Sequence, residues 1–381
     1  MKINVGVLCA IMMVFFLTSC KAQKANKIIV SNKSSHAIKD KVISLPWSDV
    51  KQKYPSLDIN SFRIVDITSK KEVPYQLEFK GNENVQNVLI QVSLDTKTAL
   101  ELQFENKKHI DFVTKTFGRY VPERLDDFAW ENDKIAFRMY GKALEEGGKG
   151  NAYGIDVWVK RTNEMIINKR YKLAKYHVDH GDGLDYYHVG FTLGAGNMAP
   201  FVNDSIWYSK NYTKWKILDN GPLRTTFQLE FDEWDVNGNK MDAVKTISLD
   251  AGSQLNRIDV KYTTNNKSLE QIPVVVGIIK RPESGFHSMD IENGVLGYWE
   301  PKDVKYGTTG VGVIIPSKVD DMTVRNDQFL VMLKIPNNQH YTYYTGAVWD
   351  KAGDITNKEE WFQYLNEMKL QLLNDNISIQ F

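Results

Sequence analysis

Apolar residues in this chain recur at every second position, and that period limits its fold more than any other feature. In 134–141 ("KIAFRMYG") Ile135, Phe137 and Met139 alternate with Ala136, Arg138 and Tyr140. In 154–161 ("GIDVWVKR") Ile155, Val157 and Val159 alternate with Asp156, Trp158 and Lys160. In 256–263 Ile258, Val260 and Tyr262 share one face. Successive side chains of a strand point to opposite faces, so each run reads as a half-buried antiparallel strand. Asn237-Gly238 predicts a hairpin, because a tight two-residue turn needs positive φ at both positions. Two runs, 273–280 ("PVVVGIIK") and 310–316 ("GVGVIIP"), are apolar almost throughout. They read as strands buried on both faces, which requires stacked sheets. Further strands fill 26–106, and a polar stretch over 105–133 joins them to the rest.

Helix is scarce. Over 357–373, Trp361, Leu365, Met368 and Leu372 fall on one helical face, and Thr356 with Glu359 predicts a capping box. A shorter helix is expected near Ser48. The expected fold is all-β: a large antiparallel β-sandwich with a C-terminal helix. Residues 26–110 form an N-terminal β section and 111–381 the main sandwich region.

The first residues set the compartment. Lys2 precedes an apolar run over 5–17, too short for a membrane span of roughly 20 residues. It ends in Leu17-Thr18-Ser19-Cys20, which resembles the box at which bacterial lipoproteins are cleaved and lipidated. Residues 1–19 are then a signal peptide, Cys20 carries the lipid and 20–25 are a tether. The expected partner is a bacterial membrane, reached through that anchor from the periplasm or the cell surface. The other cysteine, Cys9, leaves with the signal, so the exported body folds without disulfides and relies on its core. With 48 basic and 47 acidic residues the formal charge is +1, which argues against a nucleic-acid partner. Aromatic residues make up 12% of the chain, a share that suits both strand packing and stacking on sugars.

Titratable chemistry concentrates in 175–190 ("KYHVDHGDGLDYYHVG"). This stretch holds His177, His180 and His188 among seven histidines, with Asp179, Asp182, Asp185, Tyr186 and Tyr187. Gly181 and Gly183 make 177–184 a loop. Three readings stand. His180 and His188, with Tyr186 or Tyr187, can exchange protons near neutral pH. His177, His180 and a carboxylate such as Asp182, with His188, can hold Zn²⁺, or the oxygens of Asp179, Asp182 and Asp185 can hold Ca²⁺, although the spacing matches no established motif. A solvated polar loop is the third.

Cations and aromatics accompany it. Arg138 shares a strand face with Tyr140, and Lys160 shares one with Trp158. Tyr208 and Lys210 lie among Trp207, Tyr212 and Trp215, and Arg224 follows in "GPLRT". Together they suggest an aromatic-walled cleft with cationic points, suited to an acidic oligosaccharide. Arg281, His287, Trp299 and Glu300 rank behind them. No carboxylate pair of the kind a glycoside hydrolase needs stands out.

Six ordered motifs then carry a resemblance: "AWENDKIAFRMYG", "GIDVWVKR", "DHGDGLDYYHVG", "YSKNY", "LDNGPLRTTFQLEF" and "ISLDAGSQLNRIDVKYT". Over roughly 26–370 the chain resembles a family of exported proteins of bacterial polysaccharide degradation, catalogued largely as a domain of unknown function. One branch is similar to an ulvan oligosaccharide dehydratase. The resemblance implies a galactose-mutarotase-like supersandwich. It also implies loss of water from a non-reducing-end glucuronic or iduronic acid, leaving a 4,5-unsaturated uronic acid. No redox cofactor is needed. In that chemistry Arg138, Lys210 or Arg224 neutralises the substrate carboxylate, and His180, His188, Tyr186 or Tyr187 moves the protons. Tyr187 and His188 face opposite ways on a regular strand, so both act at one point only if a bulge intervenes. A polysaccharide lyase would use the same groups, and a non-catalytic glycan-binding lipoprotein would need only the cleft.

Overall fold

The computed structural model describes residues 26–146, 152–266, 268–374 and 376–381. The expected signal peptide, the lipidation of Cys20 and the 20–25 tether lie outside the described residues. Among those described, no helix is long and apolar enough to cross a membrane.

The period-two segments form antiparallel strands. Eight of them build one sheet, running from Lys214–Asn220 through the long hairpin Arg224–Val236/Asn239–Asp250 to Phe286–Asp290 at the far edge. The hairpin turns at Asn237 and Gly238, with φ of 50° and 81°, as the sequence requires. Two five-stranded sheets face it. One contains Asp127–Asn132, Ile135–Met139, Asp156–Lys160 and the short edge strand Gly183–Asp185. The other contains Ala195–Val202, Gln271–Ile279 and Gln328–Pro336. A parallel bridge from Ile155 to Gly194 links the two into a near-continuous second layer. A single apolar core, including Phe137, Val157, Phe227, Ile258, Val276 and Val313, joins all three sheets. The architecture is a large antiparallel β-sandwich.

Three expectations need correction. Strands 135–139 and 156–160 are buried on both faces, not one. The helix Ile167–Leu173 and the chain after it cover their polar face, with Tyr171 packed on Trp158. Charges that alternation assigns to water are therefore inside, and buried charge must be paired. The last strand, Ile377–Gln380, leaves the main region and pairs with Ile28–Asn32. It completes the N-terminal section, whose two small sheets enclose a separate core around Phe62, Ile90 and Phe104.

The C-terminal helix spans Lys358–Leu373 and packs Trp361 and Leu365 on Ile314 and Val348 of the large sheet. Its cap lies one residue later than expected. Asn357 accepts the Glu360 N–H at 3.0 Å, and the Glu360 carboxylate takes the Thr356 N–H at 2.7 Å. The reciprocal arrangement is kept with a shifted register, because Asn caps as well as Thr. The short helix near Ser48 is Trp47–Lys53.

Candidate active site

The run 176–194 organises the site. Gly183 has φ +111°, and a Cβ there would meet the Val159 carbonyl at 2.0 Å, so only glycine lets the chain lie against strand 156–160. The loop before it is held by its own acids. Asp179 accepts the N–H groups of Gly181 and Gly183 at 2.8 and 3.1 Å and pairs with Arg161. Asp182 pairs with Lys169 at 2.7 Å and with the buried Arg170, which also donates to the Val178 carbonyl at 2.8 Å. These two aspartates build the loop. The metal set His177, His180 and Asp182 does not assemble, and no other such group occurs among the described residues.

Under the loop, on the covered face of the sheet, lies Arg138. Its Nη2 bonds Asp156 and, at 2.9 Å, Asp185. Its Nη1 lies 3.6 Å from Asp127, which also accepts from Tyr171 at 3.0 Å and pairs with Arg124 at 3.3 Å. Tyr140 donates to Asp156 at 3.2 Å, and the Arg138 guanidinium sits 5.0 Å from the Trp158 ring. Three buried carboxylates thus face two guanidinium groups. Burial pushes Asp127 up to about 6, although Arg138 and Arg124 oppose it. Burial, then the neighbouring Asp156, raises Asp185 well above the usual carboxylate range. Burial thus favours the protonated forms of Asp127 and Asp185 against the pull of the guanidinium groups. Arg138 Nε and Nη1 and Trp158 Nε1 are buried with no acceptor among the described residues.

Asp185 also orients a histidine. His177 Nδ1 lies 2.8 Å from the Asp185 carbonyl and 3.6 Å from its carboxylate. A carbonyl only accepts, so Nδ1 is the donor, and in the neutral ring the lone pair is then on Nε2. The ring is 69% exposed, which leaves Nε2 reachable from solvent. Neither His180 nor His188 has a ring hydrogen bond among the described residues, and both are exposed.

Beyond Asp185 the strand ends, but the alternation persists. Tyr187 and Val189 are buried while His188 faces solvent, so Tyr187 and His188 do not act at one point. Tyr187 lies under Arg281, 4.6 Å from the guanidinium to the ring, and its buried hydroxyl has no partner among the described residues. Arg281 donates to Glu300 at 2.6 Å and to the His188 carbonyl at 2.6 Å. Burial lifts the Glu300 carboxyl, against the pull of Arg281. Tyr186 bonds Thr309 at 2.6 Å and stacks beside Tyr306, with centroids 5.3 Å apart. Burial keeps the Tyr186 phenol protonated.

Tyr306 opens onto a cleft of about 150 Å³, lined also by Val178, Asp179, Leu184, Lys305, Trp349 and Lys351. The cations sit on the aromatics: Lys305 4.8 Å from the Tyr306 ring, Arg161 5.7 Å and Lys351 5.9 Å from Trp349. Asp303 accepts the N–H groups of Lys305 and Tyr306, both at 2.7 Å, and so shapes the wall.

The sequence-predicted residues are therefore divided. Arg138 and Trp158 join the buried cluster beside His177. Tyr186 packs against Tyr306 of the cleft wall, and Tyr187 lies under Arg281. Lys160 is elsewhere and committed: its ammonium donates to Glu131 and to the Asn132 and Glu164 carbonyls within 2.7 Å. Arg224 ties the N-terminal section to the sandwich through Glu78 and Asp250. Both cations are taken by protein acceptors and have no part in the cleft. Tyr208 and Lys210 lie on a loop outside both neighbourhoods, with Tyr208 bonded to Gln328 at 3.0 Å. Sequence reasoning missed Asp127, Asp156, Lys305, Tyr306, Trp349 and Lys351. Asp156 was legible as the acid sharing a strand face with Trp158, whereas Lys305 and Lys351 sit in turns with no periodic signal.

Known proteins place the chain in a family. A curated relative, "Uncharacterized protein P7" of Formosa agariphila, is 31% identical and aligns over 93% of this chain and 94% of its own. Two solved structures are distantly similar, each 10% identical and matched over 93% of this chain. An alpha-mannosidase from Enterococcus faecalis V583 gives a TM-score of 0.48, and a glycosyl hydrolase family 38 protein from Enterococcus faecalis gives 0.49. The chain spans about half of each of those structures, 46% and 47%. The family model described as "Domain of unknown function (DUF4861)" matches residues 30–376, and the chain belongs to that family.

Proposed function

We propose that this protein is a carbon–oxygen lyase: a dehydratase that removes water from the non-reducing-end uronic acid of ulvan-type oligosaccharides. The observation that carries the reading is the cleft of Tyr306 and Trp349 with Lys305 and Lys351 at its rim, set against the loop bearing His177. The cleft is small beside the roughly 300–1,000 Å³ of typical ligand pockets. That size suits one terminal ring better than a continuous polymer, which favours a dehydratase over an internally cutting lyase.

The C5 proton of a uronic acid is α to a carboxylate, so its removal drives charge onto the carboxyl oxygens. The two lysine ammonium groups neutralise that charge, and such stabilisation usually contributes more to the rate than any other single effect. His177 Nε2 takes the C5 proton. The Tyr186 phenol protonates the C4 hydroxyl, which departs as water as the C4–C5 double bond forms. The proton on His177 returns to Tyr186 through solvent. The base and acid each contribute about 10²–10⁴-fold.

Export and lipid anchoring belong to the same reading and are supported by the segment ending in Cys20. Cys20→Ser should release the protein from the membrane fraction; unchanged fractionation would contradict the anchor. For the reaction, saturated uronic-acid-ended oligosaccharides are incubated with the protein and followed by mass. Loss of one water from an intact molecule supports the dehydratase. Two fragments would make it a lyase, and binding without turnover would make it a glycan-binding lipoprotein.

A further inference from the structure

Outside the cleft, three rings meet at the surface. Phe191 and Tyr208 have centroids 4.7 Å apart, Tyr153 and Phe191 5.6 Å, and Tyr153 and Tyr208 5.9 Å. Phe191 is 60% exposed. A single exposed phenylalanine needs no explanation, but this one belongs to a group whose positions are fixed from below. Gln328 is fully buried; its Nε2 donates to the Tyr208 hydroxyl at 3.0 Å and its Oε1 accepts the Leu193 N–H at 2.7 Å. Thr192 donates to the Val189 carbonyl at 2.6 Å and accepts the Gly194 N–H at 3.0 Å. Tyr208 packs on the core of Leu193, Phe201 and Leu330. Loop and tyrosine are thus held as one rigid shelf.

Polar groups edge the shelf. The Tyr153 hydroxyl has no hydrogen-bond partner among the described residues, and Lys210 is exposed and makes no ion pair among them. Apolar ring faces, free phenol oxygen and an unpaired ammonium are the recognition set for a sugar ring. The electron-rich aromatic face meets the axial C–H groups of the pyranose, the phenol meets its hydroxyls, and the ammonium meets a carboxylate or sulfate. An apolar peptide would use the rings but not the lysine. Position fits too. Phe191 is five residues beyond Tyr186, which packs on Tyr306 of the cleft wall, so at most about 18 Å of extended chain separates the shelf from that contact.

We infer that Tyr153, Phe191 and Tyr208, with Lys210, form a second saccharide subsite, which holds an acidic oligosaccharide by a ring remote from its reacting end. The inference rests on the saccharide reading of the cleft, but its test does not need turnover. Titration calorimetry is run on wild type and Phe191→Ala with a saturated ulvan disaccharide and hexasaccharide. The exposed ring can be removed without opening the core. Phe191→Ala should bind the hexasaccharide about three- to tenfold more weakly and the disaccharide as wild type does. Lys210→Met should weaken the acidic hexasaccharide but not a neutral hexasaccharide of comparable length. Equal hexasaccharide affinity in wild type and Phe191→Ala would overturn the subsite, as would equal losses for both lengths. If wild type binds in this length-dependent way but never dehydrates, the subsite stands and the dehydratase reading falls.

Discussion

Lys245 sits in the middle of the sandwich with no carboxylate beside it among the described residues. Its ammonium donates to Asn197 Oδ1 at 2.6 Å and to the Met198 carbonyl at 3.1 Å, and it lies 4.9 Å from the Phe231 ring. Burial pulls it from 10.5 down to about 7. The unfolded chain therefore binds one more proton than the folded chain between those values. Wild-type stability should rise with pH through that window, by about 1.4 kcal/mol per unit at most. Below pH 7 the full penalty, on the order of 5 kcal/mol, is present; above about pH 10.5 it is gone. Lys245→Met keeps the unbranched shape and removes the charge. Both acceptors retain a second donor, since Asn197 Oδ1 also takes the Met198 N–H and the Met198 carbonyl also takes the Tyr262 hydroxyl. Little is lost, and the variant should be the more stable protein by a few kcal/mol at pH 6.5. The advantage should shrink steadily towards pH 10. Urea unfolding followed by tryptophan fluorescence at pH 6.5, 8 and 9.5 reads this directly. A difference between the two proteins that stays constant across those pH values would show that Lys245 does not titrate in this way.

Other outcomes follow from the same geometry. His177→Gln should lower kcat by about 10²–10⁴-fold, while His180→Ala should leave turnover within a few-fold of wild type. Lys351→Met, at the rim of the cleft, should raise KM for acidic oligosaccharides, with an effect that fades as salt rises. Arg138→Met strands the Asp156 and Asp185 carboxylates in the interior and should cost about 3–5 kcal/mol of stability in urea titrations. Asn357→Ala removes the cap of the C-terminal helix and should cost about 1 kcal/mol in the same titrations.

The sandwich was legible because alternation survives wherever one sheet face meets the core, as at Ile258, Val260 and Tyr262. Alternation reports which side chains share a face, and it placed Arg138 with Tyr140 and Asp156 with Trp158 correctly. It does not report what covers that face. Helix Ile167–Leu173 closes over Arg138, Asp156 and Lys160, so residues that read as solvated became a buried charge network. The histidine loop was legible as a concentration of titratable groups, but only the fold selects among them. His177 is oriented by a carbonyl eight residues on, a contact made when Gly183–Asp185 joins the sheet edge. Arg224 and Lys160 show the converse. A cation beside aromatics resembles a substrate contact until its acceptors, Glu78 with Asp250 and Glu131, arrive from distant strands.

The proposed reaction hinges on His177, held by Asp185 and next in the chain to Val178 of the Tyr306–Trp349 cleft, taking a proton from a terminal uronic acid. Mass analysis of a saturated ulvan oligosaccharide after exposure to wild type and to His177→Gln probes that step. One water should be lost from the intact molecule with wild type and almost none with the variant, while both bind the substrate. Equal dehydration by the two proteins, or none by wild type, would contradict it.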